Sequence, residues 1–273
     1  MDIAFFADEV SKADFEEAVR LGIQAGADGV ELRGGIWGRR VQEIDDDEVK
    51  RVQDVLAKHG TSIISLGSPF GKCAHDSEAE KADHQRIFDR MVELSHAFDT
   101  RIVRCFSLWN PFRKQGDEMR PEVDAYLDVI CPFLEPAVAT AQREGIVLSL
   151  ENEGATIGGT CAEVASIVAA LGDPQSLTFC WDVNNGVALG EPALPEGYGL
   201  IRGRISHLHV KPNEAGELDP VLGTEISYLE LLKTMVADGY KGAASIEHWG
   251  SPEDMLRGVR LLRAAVDELG ASG

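Results

Sequence analysis

Val147-Leu148-Ser149-Leu150-Glu151 is an aliphatic run that closes on a carboxylate, and Asn152-Glu153 follow it. Leu177-Thr178-Phe179-Cys180-Trp181-Asp182 repeats the pattern, with Asp182 standing 31 residues after Glu151. A further 27 residues bring His209 within Ile205-Ser206-His207-Leu208-His209-Val210-Lys211, and 38 more bring Glu247 at the end of Ala243-Ala244-Ser245-Ile246-Glu247. Each interval has room for one strand, one helix and their turns, which is the signature of repeated βα units and a parallel sheet.

The strands these four belong to are expected near Ile146 to Leu150, Leu177 to Trp181, Ile205 to Val210 and Ala243 to Glu247; outward from them, similar runs lie near Ile3 to Ala7, Gly29 to Arg33, Ser62 to Leu66 and Ile102 to Phe106, making eight candidate strands in 273 residues. Eight units of about 34 residues each suit a closed α/β barrel, so the expected fold is a single-domain (β/α)8 TIM barrel over residues 1–273. Helix signals fall between the strands: Asp14-Phe15-Glu16-Glu17-Ala18-Val19 opens one, Lys58-His59-Gly60 stops the next, and Pro252 to about Leu269 forms the last. No Ser- or Pro-rich linker interrupts the series. The longest stretches without a pattern, Ser107 to Pro121 and Gly186 to Gly199, follow strands, where barrel enzymes carry substrate loops.

Composition narrows the function classes. With 44% hydrophobic and 26% charged residues the chain is of ordinary globular type, and no apolar run approaches the roughly 18 residues of a membrane span. Met1-Asp2-Ile3-Ala4-Phe5-Phe6 reads as a strand rather than a secretory leader, so a cytoplasmic location is expected. Five scattered cysteines without a CxxC pair offer neither a disulfide framework nor a thiolate zinc site. A formal charge of −20 argues against a nucleic-acid partner, because phosphate backbones are held by clustered Lys and Arg. Assembly with copies of itself stays open.

The C-terminal ends of barrel strands form one rim, so Glu151, Asp182, His209 and Glu247 can converge there. Three carboxylates crowded together repel one another, a cost that a divalent cation removes. Three oxygen donors and one imidazole suit one divalent metal ion, Mn²⁺, Mg²⁺, Co²⁺ or Zn²⁺, over a small sugar-like or polyol substrate. Within the seventh strand His207, His209 and Lys211 share a face; His209 is nearer the rim, while His207, a layer deeper, has the alternative of a hydrogen-bonded core histidine. Trp37, Trp109, Trp181 and Trp249 lie at or after even-numbered strands, where they could line the mouth or simply pack. Arg33, Lys72, Arg104 and Lys211 also stand near strand ends, as holders of hydroxyl or anionic groups or as solvated rim charges.

These stretches resemble the xylose isomerase-like TIM barrels, the sugar phosphate isomerase/epimerase or AP-endonuclease-2 superfamily, over essentially the whole chain. The likeness rests on Asp8-Glu9-Val10, Val30-Glu31-Leu32-Arg33, Gly67-Ser68-Pro69-Phe70-Gly71-Lys72, Leu150-Glu151-Asn152-Glu153, Trp181-Asp182-Val183-Asn184-Asn185, His207-Leu208-His209-Val210-Lys211 and Ile246-Glu247-His248. It implies that Glu151, Asp182, His209 and Glu247 bind the metal, and that Glu151 and Glu247 act as an acid/base pair on opposite faces of a ketose or keto-polyol, through a metal-stabilised enediolate. Lys72, Arg104, Trp109, Asn185 and Lys211 are the expected substrate contacts. The chain departs from the family pattern at Asn185, where many relatives have His, at Pro212, and at Gly223-Thr224-Glu225. The endonuclease branch uses a histidine-rich three-metal cluster, which seven scattered histidines do not suggest. The expected activity is therefore isomerisation or epimerisation of a ketose or ketose phosphate. A lyase or dehydratase acting on a keto-sugar or inosose is the alternative from the same intermediate, and a non-catalytic sugar-binding barrel is the third reading.

Overall fold

The computed structural model describes residues 1–115, 119–213, 216–221, 223–248 and 250–271. Its eight parallel strands are β1 (Asp2–Phe5), β2 (Gly29–Leu32), β3 (Ser62–Leu66), β4 (Ile102–Cys105), β5 (Val147–Glu151), β6 (Leu177–Asp182), β7 (Ile205–Val210) and β8 (Ala243–Ile246). Between and after them run α1 (Phe15–Ala25), α2 (Asp46–His59), α3 (Glu78–Ala97), α4 (Leu127–Glu144), α5 (Cys161–Ala170), α6 (Val183–Ala188), α7 (Tyr228–Ala237) and α8 (Pro252–Ala271). The strand order β1-β8-β7-β6-β5-β4-β3-β2 follows the sequence all the way round, and the fold is a (β/α)8 barrel. Every strand lies where the alternation of apolar runs placed it, with no end displaced by more than two residues. No helix of the described residues is long and apolar enough to cross a membrane.

Contacts group the chain into two compact units. The first comprises residues 1–67, 96–100 and 207–273. Here β7 pairs with β8 and β8 with β1, the bridge between Phe6 and Glu31 links the end of β1 to β2, and β2 pairs with β3. The β2/β3 register slips between Val30 and Glu31, so that Ser65 rather than Ile64 stands opposite Glu31. Strands β2 and β8 are buried along their whole length, as parallel strands covered on both faces must be. Helix α2 starts with a reciprocal cap between Asp45 and Glu48 and stops at Gly60, whose φ of 64° is the left-handed conformation that the glycine stop foretold.

The second unit comprises residues 68–95 and 101–206, with β4, β5 and β6 paired side by side. The expected irregular stretch from Gly186 differs in the structure: α6 begins directly after β6 and runs to Ala188, and residues 198–201 are helical again. The cause is local. Asp182 ends its strand with the side chain accepting the Asn185 N–H at 3.0 Å, which starts a helical turn at once. In the other loop, Trp109 forms an antiparallel bridge with Thr156, and residues 116–118 of that stretch lie outside the described residues.

Candidate active site

In the second unit, β5 and β6 deliver Glu151 and Asp182 to adjacent strand ends, and the register sets Glu151 beside Cys180. Both acids are buried, and a ligand-capable oxygen of one lies within 4.8 Å of one of the other. Two carboxylates that close and out of water need positive charge. Arg104, buried on β4, supplies some of it, with Nη1 3.2 Å from Glu151 Oε2. Asn152 ties the two strand ends together: its Oδ1 accepts the Asp182 N–H and its Nδ2 donates to the Asp182 carbonyl, both at 2.8 Å. Asn185 in turn donates its side-chain N–H to the Asn152 carbonyl at 3.0 Å.

Lys72 approaches from the loop after β3, where Gly71 has φ 93° and a Cβ would come within 2.0 Å of the Phe106 carbonyl oxygen. Only glycine allows that approach. Lys72 Nζ pairs with Glu153 at 2.9 Å and lies 4.2 Å from the Phe106 ring centre and 5.7 Å from that of Trp109. Beside them opens a cleft of about 420 Å³ lined by Asn110, Arg113, Glu153, Asn185, Ala188 and Leu189, among others.

The first unit contributes His209 from β7 and Glu247 from the end of β8, with His209 Nδ1 3.7 Å from Glu247 Oε2. Glu247 Oε1 is held by Arg33 Nη1 at 2.8 Å, and the same guanidinium reaches Asp8 and Glu9 at 2.9 and 2.8 Å. The three carboxylates hold the Arg33 guanidinium above its ordinary value despite its burial. Burial pushes the Glu9 carboxyl up to about 8; Arg33 opposes the rise and Glu247 adds to it. Glu9 also accepts the His248 N–H at 2.6 Å. Lys211 Nζ lies 3.5 Å from Glu247 Oε2.

One layer deeper, Glu31 is fully buried with Oε2 2.7 Å from His207 Nε2 and 3.3 Å from His209 Nε2. His207 Nε2 also meets Ser245 Oγ at 2.8 Å, which is the hydrogen-bonded core position anticipated for it. Burial pushes the Glu31 carboxyl up, but the two imidazoles outweigh it and hold the group well below the usual carboxylate range.

Each unit thus joins two of the four sequence-predicted ligands. Two predicted contacts, Arg104 and Lys72, are turned toward carboxylates of their own unit, as is Lys211 in the other unit. The tryptophans divide: Trp181 is buried and stacks on Tyr198, Trp37 packs edge-on against Phe15 beneath Arg51, Trp109 lies near Lys72 and Arg113, and Trp249 falls outside the described residues. Four of the cysteines are buried and Cys131 is half-buried, all are free, and burial raises the Cys73 thiol to about 12. Sequence reasoning gave no role to Glu31, Glu9 or Asn152. The signal available for Glu31 was an acidic residue inside a four-residue strand that is otherwise Gly, Val and Leu.

The sequence matches a family described as xylose isomerase-like TIM barrel over residues 19–265. Among curated proteins no match is found. Solved structures share the fold at low identity. A xylose isomerase-like TIM barrel protein from Mycobacterium smegmatis in complex with magnesium superposes with TM-score 0.75 at 17% identity, covering 98% of this chain and 97% of that one. The 3-keto-D-glucoside 4-epimerase of E. coli gives 0.74 at 17%, covering 99% of each, and a D-tagatose 3-epimerase-like protein 0.76 at 17%, covering 100% and 99%. With the family match spanning most of its length, the chain belongs to the xylose isomerase-like TIM barrel family.

Proposed function

We propose that the protein is a divalent-metal-dependent isomerase or epimerase of a ketose, ketose phosphate or related keto-polyol, acting as one domain in the cytoplasm. Glu151, Asp182, His209 and Glu247, each carried at or near the C-terminal end of its own strand, would hold the ion. Their chemistry fits such an ion: each donor is buried, three are carboxylates, and the imidazole presents Nδ1 on the side of Glu247. When bound, the ion supplies charge balance and Lewis acidity toward a carbonyl and its neighbouring hydroxyl. The oxygen-rich donor set leans toward the harder ions without deciding among Mn²⁺, Mg²⁺, Co²⁺ and Zn²⁺, and proteins of the same fold were crystallised with magnesium and with zinc.

Glu151 and Glu247 are the proton carriers. One takes the proton from the carbon next to the carbonyl, and the other returns a proton to the opposite face or the neighbouring carbon. The observation that carries this reading is the matched setting of the two glutamates: both are buried, and each is gripped by an arginine of its own unit, Arg104 on Glu151 and Arg33 on Glu247. A carboxylate fixed in this way keeps its remaining lone pairs aimed at substrate. Lys72, Trp109, Asn185 and Lys211 contact the substrate, with Arg104 contributing through Glu151. The cleft beside Asn185 accommodates the part of the substrate away from the reacting carbon.

The test is incubation of the Mn²⁺-loaded protein with ketoses, ketose phosphates and keto-glycosides in D₂O. Deuterium at the carbon next to the carbonyl, with an isomerised or epimerised product, is the expected result. Loss of water with a new ultraviolet-absorbing enone would move the assignment to a lyase. No exchange with any of them would sink it.

A further inference from the structure

We propose that Glu31 is a positioning residue that fixes the tautomer and ring orientation of His209. The inference rests on the metal reading of the site given above. Glu31 is the one carboxylate carried within β2, and it stands where that strand is bridged on one side by Phe6 and has slipped its register against β3 on the other. The slip sets Glu31 opposite Ser65, and the carboxylate is fully buried against the two β7 histidines. A charged group in such a place is costly unless donors surround it, and both donors it finds are imidazole Nε2 atoms meeting the same oxygen, Oε2. Among the described residues Oε1 meets no hydrogen-bond partner.

The consequence for His209 is directional. With Nε2 facing a carboxylate at 3.3 Å, the proton belongs on Nε2, and Nδ1 is left as a lone-pair donor on the side of Glu247. Metal-binding histidines usually give their second N–H to a carboxylate in this manner, which holds the ring and raises its basicity. The ring is further walled by Phe6, edge-on at 5.4 Å, and by His207 at 5.4 Å and 90°. His207 shares Glu31 Oε2 but also meets Ser245 Oγ, so it braces the carboxylate from the other side.

Two measurements decide the matter. In ¹⁵N-labelled protein loaded with diamagnetic Zn²⁺, long-range ¹H–¹⁵N spectra should show His209 protonated at Nε2, with Nδ1 the nitrogen turned to the ion. Calorimetric titration with Mn²⁺ should show one equivalent bound by the wild type and an affinity about 10- to 100-fold weaker for Glu31→Gln, which keeps the side-chain shape. Ser245→Ala removes a hydroxyl that touches His207, and it should bind Mn²⁺ as the wild type does. A His209 protonated at Nδ1 overturns the proposal. So does a Glu31→Gln protein that binds Mn²⁺ normally, an equal loss in Ser245→Ala, or a second equivalent of Mn²⁺ that disappears with Glu31, which would make Glu31, His207 and His209 a metal site of their own. Should Glu31→Gln fail to fold, the wild-type tautomer decides alone. A wild type that binds neither Mn²⁺ nor Zn²⁺ sinks the metal reading itself, whereas bound metal with the wrong tautomer sinks only the role of Glu31.

Discussion

At the scale of single residues, the site is a set of buried carboxylates, each balanced by a nearby base. Glu151, Glu247 and Glu9 lie against arginines and Glu31 against imidazoles, and burial pushes the Glu9 carboxyl up to about 8 against the pull of Arg33. Glu151→Gln and Glu247→Gln keep the shape and remove the base, so each should lower turnover by about 10²- to 10⁴-fold, measured on folded, metal-loaded protein. Glu9 offers a test without substrate. Its folded pKa of about 8 lies above the ordinary 4.5, so the stability it contributes is complete below the lower value and is lost as pH rises through the higher one. In metal-free protein, urea unfolding across that window should show Glu9→Gln gaining on the wild type as pH increases. The placement of Glu151, Asp182 and Glu247 at strand ends was legible in the sequence because each ends an apolar run. Glu31 was not, since its partner His207 is 176 residues away and no local pattern encodes that meeting.

At the scale of elements, helix caps and strand runs were readable because they are local chemistry: Asp14 accepts the Glu17 N–H that opens α1, and Gly60 ends α2. The loop after β3, Gly67 to Lys72, has a shape that no local pattern in the sequence sets, because it depends on packing. Gly71 nests against Phe106, and its N–H donates to His84 Nδ1 on α3 at 3.1 Å, which sets the direction of Lys72. Gly71→Ala combines a positive φ with a backbone clash, and it should cost at least about 1–2 kcal/mol in urea unfolding. Burial lowers the His84 pKa below 6.5, so its contribution is present above that value and is lost as pH falls through the folded pKa. Relative to His84→Gln, whose amide oxygen can accept the same N–H, the wild type should therefore weaken on acidification below 6.5.

At the scale of the whole molecule, βα alternation alone carried the fold, since eight repeats at near-constant spacing leave few arrangements other than a barrel. What alternation could not carry is the charge balance. A formal charge of −20 makes the folded state repel itself. The thermal midpoint should rise with NaCl from about 0.01 to 0.15 M, as the screening length contracts from about 30 to 8 Å; a flat or falling midpoint would show that local ion pairs outweigh the net charge.

The pairing of β1 with β8 also bears on how the chain is made. Asp2 has Ala243 as its partner, and Phe5 has Ile246. During synthesis from the N-terminus the first strand emerges early and must wait for nearly the last one, so the unit that contains both cannot close while the ribosome is still translating its middle. The middle, residues 101–206, is continuous and can settle first. His209 and Glu247 both belong to the unit that the last strands close, so they take their places only when β7 pairs with β8 and β8 with β1.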